Sequence, residues 1–316
     1  MVQAIRFAKT GGPEVLEWQQ VEVGKPGPGQ VRLRHAAVGL NYIDTYQRSG
    51  LYPMPMPSGL GSEAAGVIEE VGPGVSGLKA GDRVAYAGGP LGAYSEARVM
   101  PADRLVPVPA GITDQEGAAM MLKGMTAWYL IRRTHVVKPG ETILIHAAAG
   151  GVGLIVCQWA KHLGATVIGT VGDDEKAALA KKNGCDHAIN YRREDFVARV
   201  NDITGGKKCP VVYDSVGKDT FFKSLDCIAP LGPALSRGLR NLTWAKPALP
   251  IAFAMIAPGE QGQDQVEARQ VARPGPGRAL DMHAGGFERR GEPGQDARPA
   301  RSAQLAIGIR GQDRDA

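Results

Sequence analysis

The chain has 316 residues with 43% hydrophobic and 22% charged residues, which describes a globular protein with material for a core rather than a disordered one. No window approaches 18 uninterrupted apolar residues, so a membrane-spanning helix is not expected. A net charge of +5 is too modest to imply nucleic acid. Cys157, Cys185, Cys209 and Cys227 form no CxxC pair, and Met1 to Lys9 reads as a strand rather than a leader. Both features point to a reducing, cytoplasmic setting.

In chain order, residues 1 to about 120 hold short β-type runs (VRLRHAAVGL, EAAGVIEEVG, DRVAYAG, GAYSEARVM) cut by Gly72-Pro73-Gly74, Gly81-Asp82 and Gly88-Gly89-Pro90. That spacing predicts a small, strongly bent β-domain. Asn41, Tyr46 and Tyr52 fall beside the Pro-stiffened segment Leu51–Pro57 and read as loop residues.

From Thr142 the period changes. ILIHA is a continuous apolar strand of the type buried on both faces of a parallel sheet. Ala147 to Gly153 (AAAGGVG) follows, then an amphipathic helix, a second buried strand at 165–171 and a helix over DDEKAALAKKNG. A third strand (HAIN), a third helix and a fourth strand (VVYDSVG, 211–217) complete a βαβ series, hence a doubly wound α/β sheet. A glycine turn between a buried strand and a helix is the setting in which backbone N–H groups receive a pyrophosphate. Gly150 lets the chain approach the phosphates, and Gly153 lets helix and strand pack. Asp173, about 20 residues beyond Gly153, stands where an acid holds the ribose of NAD. Lys176 and Tyr191-Arg192-Arg193 suit the extra phosphate of NADP instead, and the residues alone leave that choice open.

Beyond about Pro233 the text changes character. Residues 233–316 carry 11 Arg against a single Lys, Lys246, and no Tyr. No strand or helix pattern is evident after Ile256. The tail reads as low-complexity or disordered sequence, or as the product of a reading-frame change near Gly232, the latter preferred because the βαβ series breaks off in mid-fold.

Residues 140–161, GETILIHAAAGGVGLIVCQWAK, resemble the diagnostic segment of the quinone oxidoreductase (zeta-crystallin) family of the medium-chain dehydrogenase/reductase superfamily. GLNYIDTYQRSGLYP, LKGMTAWYL, DHAINYRREDF and VVYDSVGKDTFFKSLDC are similar to its members too, so the resemblance covers residues 1 to about 232. It implies a GroES-like β-domain over 1–122, a Rossmann domain over 123–232 that is incomplete, the atypical tail over 233–316, and NADPH bound between the two domains. It implies Asn41, Tyr46 and Tyr52 at the catalytic and substrate site, with Asn41, Lys123 and Thr126 beside the cofactor. The cofactor contacts continue through Ala149, Gly150, Gly151, Val152 and Gly153, then Gly172, Asp173, Lys176 and Tyr191, and end at Ser215 and Gly217. Lys176 and Tyr191 match positions the family uses for the 2′-phosphate, which favours NADPH over NADH.

The superfamily's zinc enzymes carry Cys where Asn41 stands and Gly-His-Glu where Gly61-Ser62-Glu63 stands, so no metal is expected. The six histidines, His283 among them, are read as structural. The implied activity is reduction of a small-molecule quinone by NADPH. Alternatives are an enone, alkenal or enoyl-thioester reductase, an inactive truncated family member, or an RNA-binding or crystallin-like structural protein using Lys181-Lys182, Arg192-Arg193 and Lys207-Lys208. Neither membrane nor nucleic-acid partners are expected, and the family's homodimer is expected to be impaired without the sheet edge.

Overall fold

In this computed structural model the residues described are 1–217 and 219–229, with the backbone of 253–256 and 306–308. The chain divides into two compact units near Ala127/Trp128.

The first unit is built from β1 (Val2–Phe7), β2 (Glu17–Val21), β3 (Gln30–Gly39), helix α1 (Tyr42–Ser49), β4 (Ser58–Gly59), β5 (Glu63–Val71), β6 (Arg83–Ala87), β7 (Ala97–Pro101) and β8 (Val106–Pro107). Helix α2 (Asp114–Tyr129) follows, and the division between the units falls within it. β3, β5 and β6 pair antiparallel in sequence, and β7 also pairs β3. β3 and β5 slip register at Arg32/Leu33 and again at His35/Ala37, and such bulges bend a sheet sharply. Alternate residues of these strands (Val31, Leu33, Ile68, Val84, Tyr86, Met100) fill one core.

Tyr42–Ser49 differs from the loop expected there. Asn41 opens a helix because Asp44, its third residue, accepts the Asn41 N–H at 2.9 Å, and Gly50 (φ 82°) closes it in the left-handed region.

His35 is buried between Ser95 and Tyr86. Its Nδ1 donates to the Ser95 carbonyl (2.7 Å), and its Nε2 accepts from the Tyr86 hydroxyl (3.0 Å). Burial lowers its pKa from 6.5 to about 4, so the unfolded chain takes up this proton first. Stability present above pH 6.5 therefore falls as pH drops from there to about 4, by on the order of 3 kcal/mol. Urea midpoints measured across that window should decline in the parent chain, and the decline should flatten in His35→Gln.

The second unit alternates β9 (Thr142–Ile145), α3 (Gly151–His162), β10 (Thr166–Val171), α4 (Asp174–Lys182), β11 (His187–Asn190), α5 (Phe196–Thr204), β12 (Val211–Asp214) and α6 (Phe221–Asp226). β11, β10, β9 and β12 run parallel in that order, as the apolar runs predict. β9 has β10 on one side and β12 on the other, so the winding reverses between β9 and β12, where an open parallel sheet binds its ligand. Leu144, Ile168, Ile189, Phe196, Val200 and Val212 form the core on one face. All four cysteines are buried and unlinked.

Two further short strands lie in the tail. β13 (Phe253–Ile256) runs antiparallel beside β12, and β14 (Ala306–Gly308) runs antiparallel beside β3. The sequence offers no strand after Ile256, so β14 is a difference from expectation. Otherwise the expected low-complexity or frame-shifted tail, with His283, lies outside the described residues. No helix among the described residues is long and apolar enough to cross a membrane.

Candidate active site

In the first unit Asn41 and Lys123 meet at a carboxylate that sequence reasoning did not single out as part of the site. Glu63, at the start of β5, is fully buried. Its Oε2 accepts the Asn41 Nδ2 at 2.7 Å and lies 3.4 Å from the Lys123 Nζ, and its Oε1 accepts the Leu122 N–H at 2.7 Å. The Lys123 ammonium also donates to the Leu40 carbonyl (3.2 Å). One carboxylate thus ties the entrance of α1 to the middle of α2. Thr126 turns its hydroxyl back to the Leu122 carbonyl at 2.8 Å. Asp44 accepts from the Tyr94 hydroxyl at 2.7 Å, and burial pushes its carboxyl above the usual range in spite of that bond.

The tyrosines of α1 and the following loop pack on one another, Tyr42 and Tyr46 edge to face and Tyr46 and Tyr52 tilted. Tyr42 and Tyr46 are 5.1 Å apart between ring centroids, and Tyr46 and Tyr52 are 5.5 Å apart. Partial burial, then the neighbouring Tyr42 and Tyr52, raise the pKa of the Tyr46 hydroxyl. The exposed face of α1 borders a shallow cavity of about 710 Å³ lined by Tyr42, Tyr46, Arg48 and Leu51 among others. Tyr46 and Tyr52 are thus neighbours, on a helix and its exit rather than along one loop, and Asn41 stands at the start of the same helix.

In the second unit the chain leaves β9 through Ala147, a non-glycine residue in the left-handed region (φ 52°), which turns the backbone sharply. Gly150 accepts the first helical bond from Leu154 N and caps α3 without any side chain. The N–H groups of Gly151, Val152 and Gly153 precede that bond and lie at the positive end of the helix. A Cβ at Gly153 would stand 2.4 Å from the Ala147 carbonyl oxygen and 2.7 Å from the Ala148 carbonyl carbon, so only glycine allows this packing. An uncapped helix start on a tight turn suits a pyrophosphate.

At the end of β10, Gly172 and Asp173 lead into α4. Asp173 caps that helix, accepting the Lys176 N–H at 2.8 Å and the Lys176 ammonium at 2.7 Å. Those two bonds, helped by Arg192, hold its carboxyl below the usual range. The Tyr191 ring is exposed, and its hydroxyl lies where a Cβ on Gly172 would come within 2.8 Å. Asp173, Lys176, Tyr191 and Arg192 therefore form one exposed corner in which the acid is already engaged by the lysine.

After β12, the Ser215–Gly217 turn hangs on the buried carboxylate of Asp214, which accepts the N–H groups of Val216 and Gly217 at 2.9 Å each. Thr220 and Ser224 donate their hydroxyls to the same carboxylate at 2.7 and 2.8 Å. Ser224 in turn lies 2.9 Å from Nε2 of the buried His146, whose Nδ1 is 2.8 Å from the Thr170 hydroxyl. Because Ser224 gives its proton to Asp214, it accepts from Nε2–H, and Nδ1 accepts from Thr170. This is a neutral imidazole, in keeping with a pKa lowered by burial. Sequence reasoning placed His146 as structural, but its partners lie 24 and 78 residues away, beyond any local motif.

Among the described residues no three or more His, Cys, Asp or Glu side chains are grouped to hold a metal.

A bent antiparallel β-unit followed by a parallel sheet with a glycine-turn helix defines a nucleotide-dependent dehydrogenase/reductase of the medium-chain type. Sequence profiles agree: "Alcohol dehydrogenase GroES-like domain" matches residues 27–110, and "Zinc-binding dehydrogenase" matches residues 151–257. The second match runs past residue 232, where the sequence resemblance ends. The chain is 58% identical over 239 residues to a quinone oxidoreductase of Pseudomonas aeruginosa, covering 75% of this chain and 74% of that protein. It is 54% identical over 245 residues to a 2-haloacrylate reductase of a Burkholderia species, covering 75% and 73%. The crystal structure of Escherichia coli quinone oxidoreductase complexed with NADPH superposes with a TM-score of 0.71 at 54% identity, covering 73% of this chain and 71% of that one. The chain belongs to the quinone oxidoreductase family and is an oxidoreductase.

Proposed function

We propose that this protein reduces a quinone with NADPH and without zinc, the β-unit serving the substrate and the parallel-sheet unit the cofactor. The observation that carries the reading is the uncapped start of α3 on a turn that admits no side chain at Gly153. The identity of 54% to a protein solved with NADPH supports it. Ala149, Gly150, Gly151, Val152 and Gly153 would hold the pyrophosphate. Gly172, Lys176 and Tyr191 would hold the 2′-phosphate, with Arg192 adding charge and Asp173 steering Lys176. In the parallel-sheet unit Ser215 and Gly217 would meet the nicotinamide, and in the β-unit Asn41, Lys123 and Thr126 would meet the cofactor or the substrate. Bound there, NADPH supplies a hydride, and the protein contributes orientation and electrostatics.

Position 41 offers an amide committed to Glu63, and position 62 a serine hydroxyl, in place of thiolate and imidazole. That donor set is poor for zinc and suits a substrate that already accepts electrons readily. Tyr46 stays protonated and can donate a hydrogen bond to an oxygen that gains charge, though its raised pKa makes it a weaker acid than an exposed tyrosine.

The test is NADPH oxidation by the full chain with 1,4-benzoquinone as acceptor. Turnover is expected, with NADPH preferred to NADH. Absence of both turnover and an NADPH-dependent rise in the unfolding temperature would overturn the reading. Lys176→Met should raise the KM for NADPH roughly tenfold, about the worth of one charge-assisted bond, and leave the KM for NADH nearly unchanged.

A second reading has its own support: the Burkholderia relative named for 2-haloacrylate. If 2-haloacrylate or a 2-alkenal turns over with a higher kcat/KM than benzoquinone, reduction of an activated carbon–carbon double bond is the activity.

A further inference from the structure

We infer that Glu63 is a positioning residue that sets the polarity of the Asn41 amide. Asn41 then presents a hydrogen-bond acceptor, its Oδ1, to a ligand group that carries an O–H or N–H donor. The inference rests on the reading above in taking Asn41 to face the ligand.

Two neighbours of Glu63, the Leu122 N–H and the Lys123 ammonium, can only donate, and they hold it as an acceptor. The Leu122 N–H bonds one oxygen, while the Asn41 amide and the Lys123 ammonium approach the other. A carboxylate so placed has no proton to give, so Asn41 must turn its NH₂ inward and its carbonyl oxygen away, where one lone pair faces the Asp44 N–H of the capping box and the other is left for a ligand. The two amide orientations of a free asparagine are nearly equal in energy. A fully buried acceptor removes one of them. Room for the carboxylate comes from the end of β3, since a Cβ on Gly39 would stand 2.4 Å from Glu63 Oε2. The same contact fixes the Lys123 ammonium beside Asn41, so acceptor and cation are displayed together. A ribose or carboxamide donor of the cofactor and a hydroxyl of the reduced quinone share the required chemistry.

Three full-length variants test this: Glu63→Gln, Asn41→Asp and the double variant. In Glu63→Gln, the oxygen of the new amide keeps the Leu122 N–H, but its NH₂ now faces Asn41, which must reverse. In Asn41→Asp two carboxylates face each other. In the double variant the introduced amide donates its NH₂ to the introduced carboxylate. The second oxygen of that carboxylate again offers an acceptor, and the net charge beside Lys123 is that of the parent.

Each single variant should lose roughly ten- to a hundredfold in affinity, and the double should recover to within about tenfold of the parent. Recovery is a readout that a purely structural Glu63 would not give, because its losses would add. If the donor belongs to the cofactor, the loss appears in the Kd for NADPH. If it belongs to the quinone, the loss appears in the KM for benzoquinone at saturating NADPH.

Glu63→Gln with parental Kd and KM, or a double variant no better than Asn41→Asp, overturns the inference. The second comparison holds even if Glu63→Gln alone does not fold. A parent chain that neither binds NADPH nor reduces benzoquinone brings down the proposed function and this inference together. A parent chain that does both, with Glu63→Gln indistinguishable from it, brings down the inference alone.

Discussion

Gly153→Ala is expected to lower NADPH affinity by about a hundredfold and to destabilise the chain by about 2–4 kcal/mol. The added methyl would meet the Ala147 carbonyl oxygen at 2.4 Å and the Ala148 carbonyl atoms at 2.7 Å. All of these are backbone atoms of the turn itself, so no side-chain rotation relieves the contact. Either α3 moves off the end of β9 or the turn opens, and both displace the N–H groups that precede the first helical bond. Gly150→Ala supplies a graded control. Its methyl would meet the same carbonyl oxygen at 3.1 Å, a contact that a few tenths of an ångström relieves, so its losses should be smaller on both scales. Urea unfolding and a fluorescence titration with NADPH measure the two effects. Equal behaviour of the two alanine variants would show that close packing at Gly153 does not govern the turn.

Asp214→Ala should destabilise the second unit by about 2–3 kcal/mol, since it removes a buried acceptor shared by four donors, of which Ser224 is buried and the rest are partly exposed. The N–H groups of Val216 and Gly217 and the hydroxyls of Thr220 and Ser224 all converge on this carboxylate. Ser224→Ala removes one donor and the link to His146 and should cost less, about 1–2 kcal/mol. Because the Ser215–Gly217 turn depends on Asp214, the larger variant should also raise the KM for NADPH, measured below its own unfolding temperature. A loss under about 1 kcal/mol for Asp214→Ala would mean that water replaces the carboxylate and the turn is held by other contacts.

The parallel sheet was legible because its signals are local. β9, β10, β11 and β12 are short apolar runs with helical periods between them, and Ala147 to Gly153 carries its meaning within seven residues. Helix α1 was not legible. Its eight residues are too few to establish a period, and the prolines after Leu51 suggested an extended loop. What stabilises it is the Asn41–Asp44 cap and the Tyr94 hydroxyl bond to Asp44, the latter from a residue 50 positions away. The choice between NAD and NADP was undecidable from charges alone because Asp173 and Lys176 have opposite signs. The structure shows the two bound to each other, with Asp173 spent on capping α4.

The sequence by itself determined the two kinds of architecture, the glycine turn and the family resemblance, since each is written in consecutive residues. Only the tertiary structure decided which polar groups meet in the interior. Glu63 joins Asn41 and Lys123 across 22 and 60 positions, and His146 joins Thr170 and Ser224 across 24 and 78. Burial makes those meetings obligatory, because a carboxylate or imidazole removed from water must find its partners among whatever groups the fold brings within reach.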